Sequence, residues 1–591
     1  MCFASIKVSG SVVASKETEL RVVIFSGGQV SDIGRLIHRI HAEVPGAKVC
    51  GVLTERRAGK AASKRISSFL NNLRDPAFIG YVGLRLRTAQ KKQAEKIGAA
   101  FLRLVHAGQP PARPVETLEC PIHITTDYHG PDSLEFVRGL KPDLGIVYGT
   151  RILKPVLFSI PRLGSINIHK RKVPDYRGGG PVGLWELLDG QSEIGVTVHE
   201  VTEKLDAGAV VNSATIPVER FDNLTSLALK AQVVGNDLLV QSVADYARGT
   251  LRPRSQVGTG RMFKSPTPQR LEQYRKDLAA RRTAFRPASG RSTAKLLLKT
   301  ALALPGIALR NWQCRRKGSF PVVILFHHLV TDRPHRMGIS TEHFLKHVEF
   351  LQKYYRVVSL SDAIEMLCTN NVKAPTVVLT FDDGYADNFI NLRAVVEQTG
   401  VPVTLFVSTD HIASGNEFQH DIDAQHRGFR PLTWDQLRRM HTQGFEIGSH
   451  TRTHFNCGSE NLVELHSEIV GSKQDLETHL STPIDYFSFP FGLPENISPE
   501  ASKLAARTYP YVFSAFGGRN TAAPPHAELK HLKRVCHCNH LWSLELQIHG
   551  VLEKEPAQLQ SGISKNRRTW MQRIRLRRDS RDEFKRIIRR A

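Results

Sequence analysis

The first regular pattern in the chain is Leu20-Arg-Val-Val-Ile-Phe25, a strand-like apolar run closed by Ser26-Gly27-Gly28 and followed by apolar positions at helical spacing from Ile33 to Ala42. Ala47-Lys-Val-Cys-Gly-Val-Leu53 reads as a second strand. Strand, tight turn, helix and strand in that order predict a parallel, doubly wound sheet. Leu144-Gly-Ile-Val-Tyr148 and Ser165-Ile-Asn-Ile-His169 add two buried strands with polar residues at their ends. A second α/β region starts at Pro321-Val-Val-Ile-Leu-Phe326, and Thr376-Val-Val-Leu-Thr-Phe381 and Phe445-Glu-Ile-Gly-Ser449 are further apolar approaches. The fold class expected is α/β throughout.

At 591 residues the chain exceeds the roughly 250–300 at which one hydrophobic core stops growing, so two large domains are expected. Pro253, Pro266, Pro268 and Pro287 punctuate a basic stretch with little core pattern, which reads as the join. The chain therefore divides into a first domain at 18–251, a basic linker at 252–318 that separates the two cores, a second domain at 319–555 and a basic tail at 556–591.

Charge refines this division. The net +25 is concentrated in two stretches: 252–317 holds 17 Lys/Arg against Glu272 and Asp277, and 565–591 holds 12 against three acids. Solvated linker and tail are one reading. The sharper one is adsorption to an anionic membrane surface, where each cation contributes about 1 kcal/mol. No nucleic acid is expected as a partner, although it would satisfy the same charge. Ala294 to Trp312 is apolar with Lys295, Lys299 and Arg310 at intervals, too short and too charged to span a bilayer. It reads either as a helix in the headgroup layer, kinked at Pro305, or as a helix packed on one of the domains. No run of ~18–20 apolar residues and no secretory pattern at Met1 to Leu20 predict a cytoplasmic protein, peripheral at most to the inner face of the membrane. Eight scattered cysteines predict free thiols. The basic insertion from Arg56 to Arg103 carries no readable role.

The densest polar motif of the first domain is Asn167-Ile-His169-Lys-Arg-Lys-Val-Pro-Asp-Tyr-Arg-Gly178, with Gly195-Val-Thr-Val-His199 and Asp206-Ala-Gly208 downstream. Asn167 and His169, two apart on a strand, point the same way toward the crevice where open α/β sheets bind ligands. Acyl transfer needs an amide donor for the oxyanion, an imidazole to shuttle charge and a carboxylate to orient it or take the amine's proton; Asn167, His169 and Asp206 are those three types. His199, on an apolar strand, reads as a hydrogen-bonded core histidine.

In the second domain, Asp382-Asp383-Gly384 ends a β-branched strand, and two adjacent carboxylates there call for a cation. His450-Thr-Arg-Thr-His454 follows the next apolar approach. Asp383, His450 and His454 form a one-carboxylate, two-imidazole ligand set for a divalent metal, with zinc the expected ion, and Asp382 is left as the base that activates water. Cys536-His-Cys-Asn-His540 lacks a second Cys/His pair at zinc-finger spacing and predicts no further metal.

The stretch from Gly145 to Val211 resembles the formyl-tetrahydrofolate-dependent formyltransferases in its Asn-x-His, Pro174, Tyr176-Arg-Gly178, Gly195-Val-Thr-x-His199 and Asp206-x-Gly208 frame. The resemblance implies a Rossmann-like formyltransferase domain, catalysis by Asn167, His169 and Asp206, and a formyl-tetrahydrofolate donor held near Tyr148, Gly149 and Thr150. Ser-Leu-Leu in that family is replaced by Arg171-Lys172-Val173, which predicts a more basic acceptor side. Thr380-Phe-Asp-Asp-Gly384, His450-x-x-x-His454, Leu432-Thr-Trp434 and Phe489-Pro-Phe-Gly492 resemble the polysaccharide deacetylases, which include chitooligosaccharide and nodulation-factor deacetylases. This resemblance covers about Pro321 to Gly550 and implies a distorted (β/α) barrel with its site at the strands' carboxyl ends. Members commonly have Arg-Pro-Pro-Tyr-Gly where this chain has Ser488-Phe-Pro-Phe-Gly492, so the arginine that positions the base is expected to be missing. His549 is the one candidate for a late general acid.

These readings predict a bifunctional carbohydrate enzyme that deacetylates an N-acetyl sugar or glycan and formylates an amino sugar, its substrates including nucleotide-linked sugars. Alternatives from the same residues are two activities on separate substrates, or a deacetylase fused to an inactive formyltransferase-like binding module. Methionyl-tRNA is the less expected acceptor, because no extended β-rich region follows Val211 before the linker.

Overall fold

The structure is a computed structural model that describes residues 19–27, 30–55, 120–283, 293–522, 531–536 and 541–551. The Arg56–Arg103 insertion, the tail at 556–591 and the histidines of the Cys536–His540 cluster lie outside the described residues.

In the first domain the strands are β1 (Leu20–Ser26), β2 (Ala47–Glu55), β3 (Ile122–Thr125), β4 (Leu144–Tyr148), β5 (Ser165–His169), β6 (Tyr176–Gly178), β7 (Glu193–Glu200), β8 (Val210–Pro217) and β9 (Arg261–Phe263). Seven form one sheet in the order β3-β2-β1-β4-β5-β7-β8. The pairings from β3 to β5 are parallel and those of β7 antiparallel. Sequence order reverses between β1 and β4, and a doubly wound sheet opens its ligand crevice beyond the carboxyl ends of such a pair. Tyr148-Gly149-Thr150 leaves β4 at that point. The alternation that predicted these strands also divides the core. Val22, Ile24 and Ile146 pack on one face with the helix Val30–Glu43, and Val23, Phe25 and Val147 on the other.

The second domain contains β10 (Val322–His327), the short pair β11 (Leu329–Val330) and β12 (Gly338–Ile339), then β13 (Arg356–Val357), β14 (Thr376–Phe381), β15 (Thr404–Val407), β16 (Glu446–Ser449), β17 (Tyr486–Ser488), β18 (Tyr511–Ser514) and β19 (His531–Cys536). Seven strands close in the order β10-β19-β18-β17-β16-β15-β14 and back to β10, all parallel, with β13 attached outside β14. Odd positions such as Leu325, Leu379 and Leu405 join one cluster, while Ile324, Val378 and Phe406 join another. Closure removes the sheet edges and brings the ends of β14, β16 and β17 to one rim.

The stretch expected as a linker is built into both domains. β9 pairs with β6 of the first domain, and the helices Pro268–Thr283 and Thr293–Lys317 follow it, the latter running through Pro305. The two cores are not held apart. The helix Leu224–Ala247 covers β7 and β8 and also packs along the barrel helix Asn391–Thr399, burying Leu229 and Val233 against Ala394. Around this seam Asp237 receives Arg39 and Arg393 at 2.8 Å and Arg439 at 3.0 Å. Lys230 lies 3.0 Å from Asp222 and Asp332 and 3.2 Å from Glu219. Those three carboxylates could otherwise be taken for a metal site; the buried ammonium already supplies their cation.

Candidate active sites

Asp382 and Asp383 leave β14 at the barrel rim, and both are buried. Asp383 adopts φ +71°, a left-handed conformation costly for a non-glycine residue, and His454 (φ +56°), Thr451 (φ +64°) and Phe491 (φ +61°) repeat it around the same rim. Strain of this kind persists where surroundings over-determine it, and it collects at functional sites. His450 and His454 approach Asp383 Oδ1 with Nε2 at 3.5 and 3.3 Å. Bonds of about 2.0–2.1 Å to a tetrahedral zinc would set ligand atoms about 3.3–3.4 Å apart. Among the described residues neither Asp383 oxygen has a hydrogen-bond donor although both are buried, an expensive omission unless a cation belongs there. His450 donates from Nδ1 to the Ser488 carbonyl at 2.8 Å, which leaves Nε2 unprotonated toward Asp383. Burial pushes the His450 imidazole down to about 4, into the neutral form that binds metals. The residues present fit a divalent cation.

Asp382 is held differently. The Arg534 guanidinium, from β19, donates to Oδ1 at 2.6 Å and to Oδ2 at 2.8 Å, and also to Ser488 Oγ at 2.5 Å. Arg534 is buried, with Phe326 and Phe406 rings 5.0 and 5.1 Å from its carbon. The loop that starts at Ser488 has no arginine, as read; a guanidinium from a different strand, Arg534, grips Asp382 instead, and Ser488 accepts a bond from it. Burial alone would raise the Asp382 carboxyl, but the Arg534 guanidinium holds it below the ordinary range, so it is ionised and fixed.

A pocket of about 120 Å³ opens over these groups, and Phe491, Arg336, His328 and His420 line it. His420 lies 3.9 Å from Asp383 Oδ2 and hydrogen-bonds the Tyr385 hydroxyl at 2.9 Å. His549 does not reach this pocket; it turns to the Tyr355 hydroxyl at 3.2 Å and to Glu545 elsewhere in the barrel. Of the histidine pair at the end of β10, His328 lines the pocket and His327, the last residue of the strand, is buried against Phe381.

In the first domain Asn167 and His169 extend from β5 opposite His199 and Thr197 of β7. His169 donates from Nε2 to the Tyr176 carbonyl at 2.9 Å, and His199 from Nδ1 to the Glu200 carbonyl at 2.8 Å. The remaining lone-pair nitrogens, His169 Nδ1 and His199 Nε2, face Asp206 Oδ1 at 3.8 and 3.6 Å. Asn167 donates to His199 Nε2 at 3.1 Å and keeps a second amide N–H. Asp206 sits at φ +51° and accepts from the Gly178 amide at 2.9 Å. Gly178, at φ +89°, has no room for a side chain, since a Cβ would stand 2.3 Å from the Phe263 carbonyl oxygen. Burial lowers the His169 pKa against the pull of Asp206, leaving the imidazole neutral. Burial opposes ionisation of Asp206, but the Gly178 amide donates to its carboxylate and holds the carboxyl low. The cluster can accept a proton while the Asn167 amide stabilises an oxyanion.

The sequence reading missed two participants. His199 is a buried core histidine as read, yet it also bridges Asn167 and Asp206. Gln256 clamps the Asp206 and Gly208 carbonyls at 2.9 and 2.8 Å and binds Arg177; the prolines around it masked this. In the loop expected to make the acceptor side basic, the first cation turns inward while Lys172 stays exposed. Arg171 is buried and donates to the Gly180 and Pro181 carbonyls, and Lys172 pairs with Asp175 at 3.4 Å. Of the proposed donor segment, Tyr148 sends its hydroxyl into the helix Leu224–Ala247, donating to Asn236 Oδ1 at 3.0 Å, while Gly149 at φ +68° leaves open space.

Residues 87–243 match the family model described as formyl transferase, and residues 369–510 that described as polysaccharide deacetylase. A methionyl-tRNA formyltransferase of Citrifermentans bemidjiense is 31% identical over 177 residues, 28% of this chain and 54% of that protein. The chain spans about half the length of the curated relatives it matches. Among solved structures, a Streptococcus pyogenes deacetylase in complex with acetate is 20% identical and covers 39% of this chain and 98% of its own, with a TM-score of 0.33. A sugar N-formyltransferase from a Shewanella species is 15% identical over 42% of this chain and 76% of its own, with a TM-score of 0.27.

Proposed function

Because the chain joins a formyl transferase domain to a polysaccharide deacetylase domain, we propose that it removes the acetyl group from an N-acetyl sugar and transfers a formyl group to an amino sugar. The observation that carries the hydrolytic half is the pair of buried, donorless Asp383 oxygens facing two imidazoles, beside a base clamped by Arg534. A divalent ion held by Asp383, His450 and His454, with zinc suited to this donor set, would polarise the acetyl carbonyl and lower the pKa of a water to about 7. Asp382 takes the proton of the attacking water. In the first domain the Asn167 amide stabilises the oxyanion on the formyl carbon, and the His169–Asp206 pair takes the proton from the attacking amine and returns it to the folate nitrogen as that nitrogen's bond to the formyl carbon breaks. Formyl-tetrahydrofolate is the proposed donor, lying in the crevice beyond β4 along Tyr148, Gly149 and Thr150.

The two activities compose, since one exposes the amine the other acylates, and the product would be an N-formyl sugar. A sugar acceptor is favoured over methionyl-tRNA because β9 is the only strand among the described residues between β8 and the barrel. The proposed location is the cytoplasm, peripheral to the inner face of the membrane. Purified protein supplied with N-acetylated oligosaccharides or nucleotide-linked N-acetyl sugars, with and without formyl donor, tests this by mass spectrometry. Deacetylated product that is never formylated would remove the coupled reading and leave separate substrates or an inactive first domain.

A further inference from the structure

No helix among the described residues is long and apolar enough to cross a membrane. The 25-residue helix Thr293–Lys317 has a different property. Its inner side belongs to the barrel: Ile307 is buried against Leu546 of the helix Leu541–Ile548, with Ala303 and Leu304 beside them, and Arg310 donates to the His549 carbonyl at 2.8 Å. Its outer side is apolar as well. Leu302, Leu309 and Trp312 are 74, 55 and 51% exposed, and with Pro305 they follow spacings of three, four and three residues, one helical stripe. The sequence offered a packed helix or an interfacial one; among the described residues one face is packed and the opposite face exposed.

The surroundings of the stripe select its partner. The helix carries six cations, Lys295, Lys299, Arg310, Arg315, Arg316 and Lys317, and no acid. Arg316 lies 5.5 Å from the Trp312 ring, at the basic end of the stripe. A second copy of the helix would bring six more cations against these six. Nucleic acid would answer the charge and leave the leucines and indole in water. An anionic bilayer answers both, through lipid phosphates for the cations and the acyl boundary for the apolar side chains, with tryptophan at the depth it favours. We propose that the outer face of Thr293–Lys317 docks the enzyme in the plane of an anionic membrane, with Leu302, Leu309 and Trp312 inserted and the barrel held beneath through Ile307. This goes beyond the proposed catalysis and does not depend on it. It also differs from adsorption by charge alone, because an inserted stripe resists salt once bound.

The full chain is incubated with vesicles of phosphatidylcholine containing about a third phosphatidylglycerol, and with vesicles of phosphatidylcholine alone. Wild type should bind the anionic vesicles and remain bound when salt is raised to about 1 M, where the Debye length is ~3 Å. The triple variant Leu302→Gln, Leu309→Gln, Trp312→Gln should bind at least about tenfold more weakly and be released by salt, while its circular dichroism and melting match wild type. Lipids brominated in the acyl chain should quench tryptophan fluorescence in wild type and much less in Trp312→Phe. Unchanged binding by the triple variant, equal binding to both vesicle types, or a wild-type dimer that the variant dissolves would each overturn the proposal.

Discussion

Asp206 in the first domain and Asp383 in the second stand at φ +51° and +71° past or between strand ends, each buried and each between two histidine nitrogens. The backbone device is shared, but the bonding is not. Asp206 accepts the Gly178 amide and its partner His199 accepts Asn167, so that cluster satisfies much of its own demand. Asp383 leaves both oxygens without donors among the described residues. A site that must hold a cation shows unmet acceptors, whereas a site that must hold a transition state can be closed in its resting form. The first kind can be recognised from its residues, and the second depends more on its frame of neighbours.

The comparison breaks first at the paired aspartates. Asp382→Asn should lower deacetylation by about 10²–10⁴ with bound metal unchanged, while Asp383→Ala, His450→Ala or His454→Ala should lower metal content and turnover together. Metal analysis beside kcat separates the two classes, and near-normal turnover of Asp382→Asn at saturating metal would end the division of labour. In the self-satisfied site, Asn167→Ala, His169→Ala and Asp206→Ala should each cost about 10²–10³ in formyl transfer. Deacetylation measured on the same preparations should be retained. Wild-type formyl transfer in all three would make the cluster structural.

Arg534 sharpens the contrast in a smaller way. Because this guanidinium holds the buried Asp382 carboxyl below its ordinary pKa, the base stays ionised as pH falls. In Arg534→Gln burial is opposed less, the carboxyl pKa rises, and the acid limb of the pH–kcat/KM profile should move to higher pH, with an activity loss at neutral pH of about tenfold. A profile that keeps its limb in place, at constant metal content, would show that Arg534 is only a packing residue.

Legibility followed from where partners lie along the chain. Four of the five strands through His169 were readable to within about two residues, because their apolar runs are local; Ile122–Thr125 was not, because it alternates between exposed and half-buried positions and carries no apolar run. His450 and His454 form a local motif, and Asp383 joins them at the same rim across one intervening strand, β15. Arg534 was not readable as the partner of Asp382, since 152 positions separate them and only barrel closure between β19 and β10 brings the two strands into reach. Gln256 was hidden for another reason: its segment has no periodicity, as its role is to cap carbonyls of a loop. The seam between domains was invisible because the helix Leu224–Ala247 is apolar on both sides, and a pattern of that sort does not reveal that its second partner is another domain.

That seam supplies the last and smallest expected effect on activity. Among the described residues Asp237 is the one carboxylate paired with all of Arg39, Arg393 and Arg439, and Arg39 and Arg393 are almost fully buried. Burial works against ionisation of Asp237, but Arg393 and then Arg39 hold its carboxyl below the usual range. Asp237→Ala strands these cations, although Glu43 at 2.7 Å from Arg39 and Glu397 at 3.6 Å from Arg393 remain, so the cost belongs at the lower end of a broken buried pair, about 3 kcal/mol. A depressed carboxyl contributes stability above its unfolded pKa, ~3.9, and loses it as pH falls through the folded value. The difference in urea midpoint between wild type and Asp237→Ala should therefore be full at pH 7 and shrink below about pH 4. Neither site uses Asp237, so both kcat values should stay within about twofold under native conditions. Loss of either activity in a variant that remains folded would show that the two sites communicate through the helix Leu224–Ala247, and the independence assumed in comparing them would fail.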